Sequence, residues 1–470
     1  MKGETLLKDS FDILFLGGGP AGYQGAIRAS QLGLRTAVVE SRHLGGVCLN
    51  RGCIPTKTIK ASVSVLDHMR RAKEYGLRAD DIGFDMSAIV DRKDKVVGLL
   101  RNGIAQLLRA NGIALFEGVG RILSPSEVKV ETAGGAIPLE TKKIIIATGS
   151  RPFLPKPFQL INSGSILSTD DLLALRSVPA SVIVVGGGAV GVEMASILAA
   201  LGSKVTIVEM EARILPREDI EMVAYLTRML KRRHVQIHTG APVISVETEP
   251  SLSITLSDGQ TLSAEAVLIA AGRLPNVEGI GLENVGIDPK GPLKVNARME
   301  TEIPGIYAAG DVKGGWWLAH VAFAEGIVAA ENAAGLDSSM DYRVIPRCVF
   351  SNPEYGAVGM SEEEARSQFD VKGFVFPLKS LGMAQAMGDW EGQVKLIVER
   401  GNKKILGGHV IGEHAADLVA EIALAMRNNI PAQGIVKTIH THPSLSEAIL
   451  ETAQAACGQA IHMMPKKGEA

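Results

Sequence analysis

Short apolar runs that stop at glycine, each followed by a helical stretch, recur along this chain. Phe11-Asp12-Ile13-Leu14-Phe15-Leu16 reads as a buried strand running into Gly17-Gly18-Gly19-Pro20-Ala21-Gly22. A helix is expected from there to about Gly33, then a strand over residues 36–39 that ends at Glu40. The same order returns later. Ser181-Val182-Ile183-Val184-Val185 leads into Gly186-Gly187-Gly188-Ala189-Val190-Gly191, and Lys204-Val205-Thr206-Ile207-Val208 ends at Glu209. Further strands are expected at residues 144–149, 267–273 and 301–311, each closing on a glycine turn. After Pro346 the texture changes, with a strand at residues 407–412 and a long helix at residues 416–428.

Both glycine runs are GxGxxG sequences between a strand and a helix. Such glycines allow a tight turn, close approach of backbone to a pyrophosphate, and helix–strand packing. The helix start supplies N–H groups and a positive dipole end for the anion. Glu40 and Glu209 each stand 23 positions after the first glycine of their run, where a carboxylate can accept ribose hydroxyls. One such fingerprint is weak, but two at identical spacing point to two dinucleotide sites and to electrons passing between nucleotide cofactors. A carboxylate at Glu209 suits the free 2′-hydroxyl of NAD; Arg213, four positions on, leaves some NADP use open.

The chain has 470 residues, enough for about three domains. Charged residues make up 21% and the formal net charge is −2, so neither a nucleic-acid footprint nor a polybasic membrane patch is indicated. Aromatics at 4% beside 52 glycines suit an α/β enzyme better than a β-sandwich. Four cysteines exclude a disulfide-stapled scaffold, and Cys348 and Cys457 read as small buried apolar residues. The N-terminal apolar run ends in glycines without a cleavage site, and no apolar stretch is long enough to span a membrane. A cytoplasmic protein is expected.

Cys48 and Cys53 lie in Gly45-Gly46-Val47-Cys48-Leu49-Asn50-Arg51-Gly52-Cys53-Ile54-Pro55-Thr56-Lys57. On a regular helix they would be about 140° and roughly 7.5 Å apart, whereas a disulfide needs Cα atoms within about 7 Å. Bridging them demands distorted backbone, which the glycines and Pro55 permit. Two buried thiols in one helix are the plain alternative. Near the other end, His440-Thr441-His442-Pro443-Ser444-Leu445-Ser446-Glu447 reads as a capped helix start that can turn Glu447 back onto His442. A carboxylate on one ring nitrogen orients an imidazole and makes the other nitrogen a better base.

These segments together resemble the flavin-dependent pyridine nucleotide-disulfide oxidoreductases over nearly the whole chain, and most closely the branch that oxidises dihydrolipoamide. The resemblance implies an α/β fold of two Rossmann-like domains, the NAD domain inserted in the FAD domain, plus a C-terminal α+β dimerisation domain. Its expected boundaries are residues 1–150 for FAD, 151–275 for NAD, 276–345 for a central segment completing the FAD site, and 346–470 for the interface. It implies Cys48 as the outer thiol, Cys53 as the thiol against the flavin, His442 as the base from the partner subunit, and Glu447 as its orienting acid. FAD contacts are expected from Gly17, Gly19, Gly22, Glu40, Lys57, Gly120, Thr148, Gly149, Asp311 and Ala319. For the nicotinamide cofactor they are Gly186, Gly188, Gly191, Glu193, Glu209, Val243, Gly272 and Arg273. Lys57, placed at the end of the cysteine helix, is expected near the flavin and paired with Glu193; His440 is read as structural. No metal site is expected.

The implied reaction is oxidation of protein-bound dihydrolipoamide with reduction of NAD. The expected partner is the lipoyl domain of a 2-oxoacid dehydrogenase complex or a glycine-cleavage carrier protein, and the expected assembly is a homodimer. The alternatives are a related flavin disulfide or metal-ion reductase using NAD(P)H, or a noncatalytic flavoprotein in an assembly. The first lacks support from the tail, which ends Met463-Met464-Pro465-Lys466-Lys467 without a cysteine pair. The second has no use for Cys48, Cys53, His442 and Glu447. Two departures from the family pattern are Arg51 between the cysteines and Trp316-Trp317 after Asp311.

Overall fold

The computed structural model describes residues 9–161 and 163–464; the first eight residues and the tail beyond Met464 lie outside the described residues. The chain forms two compact units. The first combines residues up to 153, 169–177 and 272–341; the second combines 154–168, 178–271 and the segment from 342 on.

A parallel sheet organises the first unit, in the order Ile306–Ala308, Ile144–Ile146, Ile13–Leu16, Thr36–Glu40, Ala114–Glu117. Ile13–Leu16 and Ile144–Ile146 are buried at every position, as strands covered on both faces must be. Helix Pro20–Gln31 packs on helix Ala319–Ala333 with backbones almost touching. A Cβ on Gly25 would sit 2.6 Å from the Gly326 carbonyl oxygen.

The apolar run at residues 11–16 is two strands rather than one. The Asp12 carboxylate accepts the Arg35 N–H at 2.9 Å and Lys142 Nζ at 2.8 Å, and this bends the chain. Asp9–Phe11 therefore pairs with Gly135–Thr141 in a separate four-stranded sheet completed by Glu127–Thr132 and Val119–Ser124. The strand expected over residues 301–311 shrinks to Ile306–Ala308, because Thr301 turns its hydroxyl onto the carbonyls of Ile303 and Ile306.

In the second unit a parallel sheet has the order Ile166–Leu167, Ala266–Ile269, Ser181–Val185, Lys204–Glu209, Gln236–Thr239. Its C-terminal part is an antiparallel five-stranded sheet, in the order Arg347–Val349, Glu354–Gly359, Ile405–Gly412, Gln393–Glu399, Val371–Pro377. Helices Ala415–Arg427 and Glu447–Ala456 cover it through a core that includes Val410, Val419, Ile422 and Ile449. Cys348 and Cys457 pack against this core but are only half-buried, not fully buried as expected, because they lie at its margin. Among the described residues no helix is long and apolar enough to cross a membrane.

Candidate active site

The two glycine fingerprints fold into the same object. Gly17 and Gly186 have φ +111° and +110°, and a Cβ on either would lie 2.3 or 2.4 Å from a carbonyl oxygen, of Ala147 or Ala270. A Cβ on Gly22 or Gly191 would lie 1.8 Å from the carbonyl oxygen of Gly17 or Gly186, so only glycine lets each helix close on its strand. The middle glycines differ in kind. A Cβ on Gly19 would touch only Gly46 Cα, at 3.6 Å, and one on Gly188 would meet nothing within 4 Å. They leave room at the helix start, which suits an incoming pyrophosphate. Neither helix start, at Gly19 or at Gly188, carries a side-chain cap.

The acids are held alike as well. Glu40 accepts the Gly18 N–H at 2.8 Å on one oxygen and the Arg42 N–H at 2.7 Å on the other. Glu209 accepts the Gly187 N–H at 2.6 Å and the Glu211 N–H at 2.9 Å. Each carboxylate is fixed in place with acceptor capacity left for ribose hydroxyls. The residues present in both cradles fit a dinucleotide. Arg213 is turned into its own loop, donating to the carbonyls of Pro216 and Glu218 at 2.8 and 3.2 Å.

The cysteine segment is anchored on the first cradle. Gly45 (φ +88°) donates its N–H to the Gly18 carbonyl at 2.8 Å, and a Cβ on Gly46 would lie 2.7 Å from Gly19 Cα. Helix Gly46–Arg51 then carries Cys48, and helix Cys53–Arg70 begins with Cys53. Between them Gly52 adopts φ −142°, ψ −108°, the distortion that the spacing of the cysteines requires. The second helix does not end at Lys57 but runs on to Arg70, because Ile59, Val63 and Leu66 supply a buried stripe beyond it. Asn50 stitches the turn: Nδ2 donates to the carbonyls of Leu44 and Gly46, and Oδ1 accepts Arg101 Nη2 at 2.7 Å. Arg51 is tied to Asp170 at 2.9 Å.

Cys48 and Cys53 are both half-buried. The hydrogen bond with Cys53 and burial push the Cys48 thiol far up, while the charge of Lys57 pulls the other way.

The strand ends meet beside the Gly310-Asp311 turn. Thr148 Oγ1 donates to the Asn276 carbonyl at 2.7 Å, and the Gly149 carbonyl accepts the Asn276 N–H at 2.9 Å. Ser150 Oγ donates to Asp311 Oδ2 at 2.5 Å. Arg273, read in sequence as the close of the second cradle, belongs to the first unit. Its Nε donates to Ser150 Oγ at 2.7 Å, with Asp311 at 3.9 Å, and Gly272 takes the Phe153 N–H at 2.9 Å. Burial lowers the Arg273 pKa, opposed by the facing carboxylates of Asp311 and Asp170. Gly120 lies over the sheet end, where a Cβ would be 2.6 Å from Leu16 Cδ2, and Ala319 opens its helix. Ser150 and Asn276 are not among the site residues expected from the sequence. Their polarity next to glycine turns was the available signal.

In the second unit Glu193 is buried and accepts the Phe350 N–H at 2.8 Å, and Val243 opens strand Val243–Glu247. His442 Nδ1 lies 2.8 Å from Glu447 Oε1, and Glu447 Oε2 accepts the Ser444 N–H at 2.8 Å. The capped start is half made: the Ser444 hydroxyl turns to Ser446 at 2.9 Å, and the helix begins only at Glu447. Burial acts to raise the Glu447 carboxyl, but the His442 and Ser444 hydrogen bonds hold it below the ordinary range. The His442 side chain is 79% exposed, whereas His440 is buried between Glu421 at 2.9 Å and the Thr438 carbonyl at 3.0 Å. Among the described residues no cluster of His, Cys, Asp and Glu could hold a metal ion.

Comparison with known proteins agrees with this geometry. Residues 11–326 match the model of the pyridine nucleotide-disulphide oxidoreductases, and residues 345–453 match that family's dimerisation domain. The chain is 42% identical to a dihydrolipoyl dehydrogenase of Bacillus subtilis, covering 96% of this chain and 99% of the relative. It is 40% identical to the enzyme of that name from Thermus scotoductus, with 97% and 99% covered. The solved structure of LpdA from Mycobacterium tuberculosis superposes with a TM-score of 0.88 at 30% identity, covering 95% and 99%. A Cu(II) complex of the flavoprotein disulfide reductase RclA from Escherichia coli gives 0.86 at 29%, covering 95% and 99%. Twin dinucleotide cradles, a cysteine pair seated on one of them and matches along almost the whole length have one reading: the chain belongs to the pyridine nucleotide-disulphide oxidoreductase family.

Proposed function

We propose that this chain is an NAD-dependent oxidoreductase that converts protein-bound dihydrolipoamide to lipoamide through FAD and the Cys48–Cys53 pair, as a homodimer. The observation that carries the reading is the contact of Gly46 with Gly19, which seats the redox cysteines on the first dinucleotide cradle. FAD takes that cradle, with Glu40, Lys57, Gly120, Thr148, Gly149, Asp311 and Ala319, and NAD takes the second, with Glu193, Glu209 and Val243. Gly272 and Arg273 close the NAD segment. Residues 1–150 and 276–345 serve FAD, 151–275 serve NAD, and 346–470 form the interface. The electron donor is a lipoyl domain of a 2-oxoacid dehydrogenase complex or a glycine-cleavage carrier protein, met in the cytoplasm.

Bound FAD supplies a two-electron acceptor beside the cysteines and a hydride donor to NAD. The chain's own residues carry out the thiol chemistry. His442 from the partner subunit, oriented by Glu447, takes a proton from the substrate dithiol, because only a thiolate attacks a disulfide. The substrate thiolate attacks Cys48 of the Cys48–Cys53 disulfide, and Cys53 leaves as a thiolate. The second substrate thiol then attacks the substrate sulfur of the mixed disulfide. Lipoamide leaves as a closed disulfide, and Cys48 departs as a thiolate that takes up a proton. This division leaves the proton on Cys48 and the negative charge on Cys53. Exposed His442, with Ile439 three residues before it 97% exposed, belongs to a surface that a second copy would cover.

The test is steady-state assay of the purified FAD-loaded protein with dihydrolipoamide and NAD. Turnover that requires both, with NAD preferred over NADP, supports the reading. Flavin-containing protein that is inert with dihydrolipoamide would overturn it.

A further inference from the structure

We propose that Arg347 and Lys395, from the C-terminal sheet, are positioning residues for the second dinucleotide site: they clamp the loop after Glu209 onto the glycine cradle. The proposal rests on the reading of that cradle as the NAD site.

The loop that follows Glu209 folds back onto the fingerprint. Leu215 donates its N–H to the Gly187 carbonyl at 2.8 Å. Ile214 is buried and lies where a Cβ on Gly187 would be, 2.9 Å away, alongside the Glu209 carboxylate at 3.1 Å. The first unit makes the same closure with Leu44 over Gly18 and Gly45 bonded to the Gly18 carbonyl. One difference separates them. The left-handed position is Gly45 in the first unit (φ +88°) and Leu215 in the second (φ +46°). A glycine adopts that conformation freely, whereas a leucine there is strained and stays only if its surroundings hold it.

The next few residues provide that hold. Glu218 receives a two-pronged bond from Arg347, Nε to Oε1 at 2.8 Å and Nη2 to Oε2 at 3.0 Å, and Tyr355 Oη donates to Oε2 at 3.0 Å. Asp219, fully buried, takes Lys395 Nζ on both oxygens at 3.0 Å and the Glu362 N–H at 3.1 Å. Lys395 also reaches Glu362 at 2.8 Å and Glu221 at 3.0 Å. Asp219 at the same time caps helix Ile220–Arg232 through the Met222 N–H. Arg213 closes the loop internally on the carbonyls of Pro216 and Glu218. A continuous set of bonds thus runs from strands Arg347–Val349 and Gln393–Glu399 to Gly187 and Glu209. Paired buried charges of this kind are better evidence for a fixed geometry than for stability.

The experiment titrates NADH into the purified FAD-loaded protein and measures KM for NAD and for dihydrolipoamide. In Arg347→Gln, and in Arg347→Lys should the first variant not fold, the NADH Kd and the KM for NAD should rise about tenfold. Flavin content and the KM for dihydrolipoamide should hold. Adding Leu215→Gly to the same chain should recover most of the lost affinity, since glycine needs no clamp to stay left-handed. Folded Arg347 variants that bind NADH like the native chain, or a loss that Leu215→Gly does not recover, would overturn the clamp alone. A native chain that binds no NADH would overturn the proposed function and the clamp with it.

Discussion

Glu447 holds His442 with one carboxylate oxygen, Nδ1 to Oε1 at 2.8 Å, and secures itself with the other, on the Ser444 N–H at 2.8 Å. The imidazole is thereby aimed through its remaining nitrogen, Nε2. His442→Gln should lower dihydrolipoamide turnover by about 10²–10⁴-fold, the range for a lost general base. NADH oxidation by a small artificial acceptor should fall far less, because it needs no thiol deprotonation. Glu447→Gln should show the same selectivity with a smaller loss. Equal losses in the two assays would remove the base role.

Sharing of the site between subunits has its own measurement. Cys48→Ser and His442→Gln chains are each inactive with dihydrolipoamide, but a hybrid dimer should regain one working site of two. Verified hybrids without activity would put the Cys48 and His442 of each site in one subunit and remove the shared site.

The cysteines are distinguished by colour. Two-electron reduction should give a long-wavelength charge-transfer band from the Cys53 thiolate to oxidised flavin. Cys53→Ser should abolish it and Cys48→Ser should retain it. A band that survives in both variants would reverse the inner and outer assignment.

The cradle glycines separate folding from binding. A Cβ on Gly188 meets no protein atom within 4 Å, and its φ of −73° suits any residue. Gly188→Ala should therefore change thermal stability by less than about 0.5 kcal/mol while raising the KM for NAD. Gly191→Ala drives a Cβ to 1.8 Å from the Gly186 carbonyl oxygen and should destabilise the second unit outright. Differential scanning calorimetry beside NADH titration reads both effects.

Asp219 gives a pH dependence of defined sign. Burial acts to raise its carboxyl, but the charges of His409 and Lys395 and the Glu362 N–H hold it below the ordinary value of 3.8. A depressed carboxyl stabilises the fold above its ordinary pKa, and that contribution is lost as pH falls through the depressed value. Asp219→Asn should cost stability at pH 7 toward the low end of about 3–5 kcal/mol, because Lys395 keeps Glu221 and Glu362. The gap between the two proteins should narrow below about pH 4. A gap that widens in acid would refute the assignment.

What the sequence disclosed was local. The fingerprints, their acids and the His442–Glu447 turn each lie within a few dozen residues, and their backbone demands are written in glycine and proline. The break at Asp12 needed Lys142, 130 residues away, and the Asp219–Lys395 pair spans 176 residues. No periodicity signals such pairs. Arg273 has distant partners of the same kind. It ends a strand-and-glycine pattern like that of the second cradle, yet its side chain answers to Ser150 and Asp311. The helix expected to end at Lys57 runs on to Arg70, since Pro55 sits in the first turn, where proline is tolerated.

The two cradles agree at Gly17 and Gly186, Gly18 and Gly187, Gly22 and Gly191, Glu40 and Glu209, and they part company only afterwards, at residues 41–45 and 210–215. A form stamped twice in one chain does not by itself separate the FAD cradle from the NAD cradle. Whoever wishes to rewrite cofactor choice should leave the shared glycines alone and edit those two short segments, where the copies speak differently.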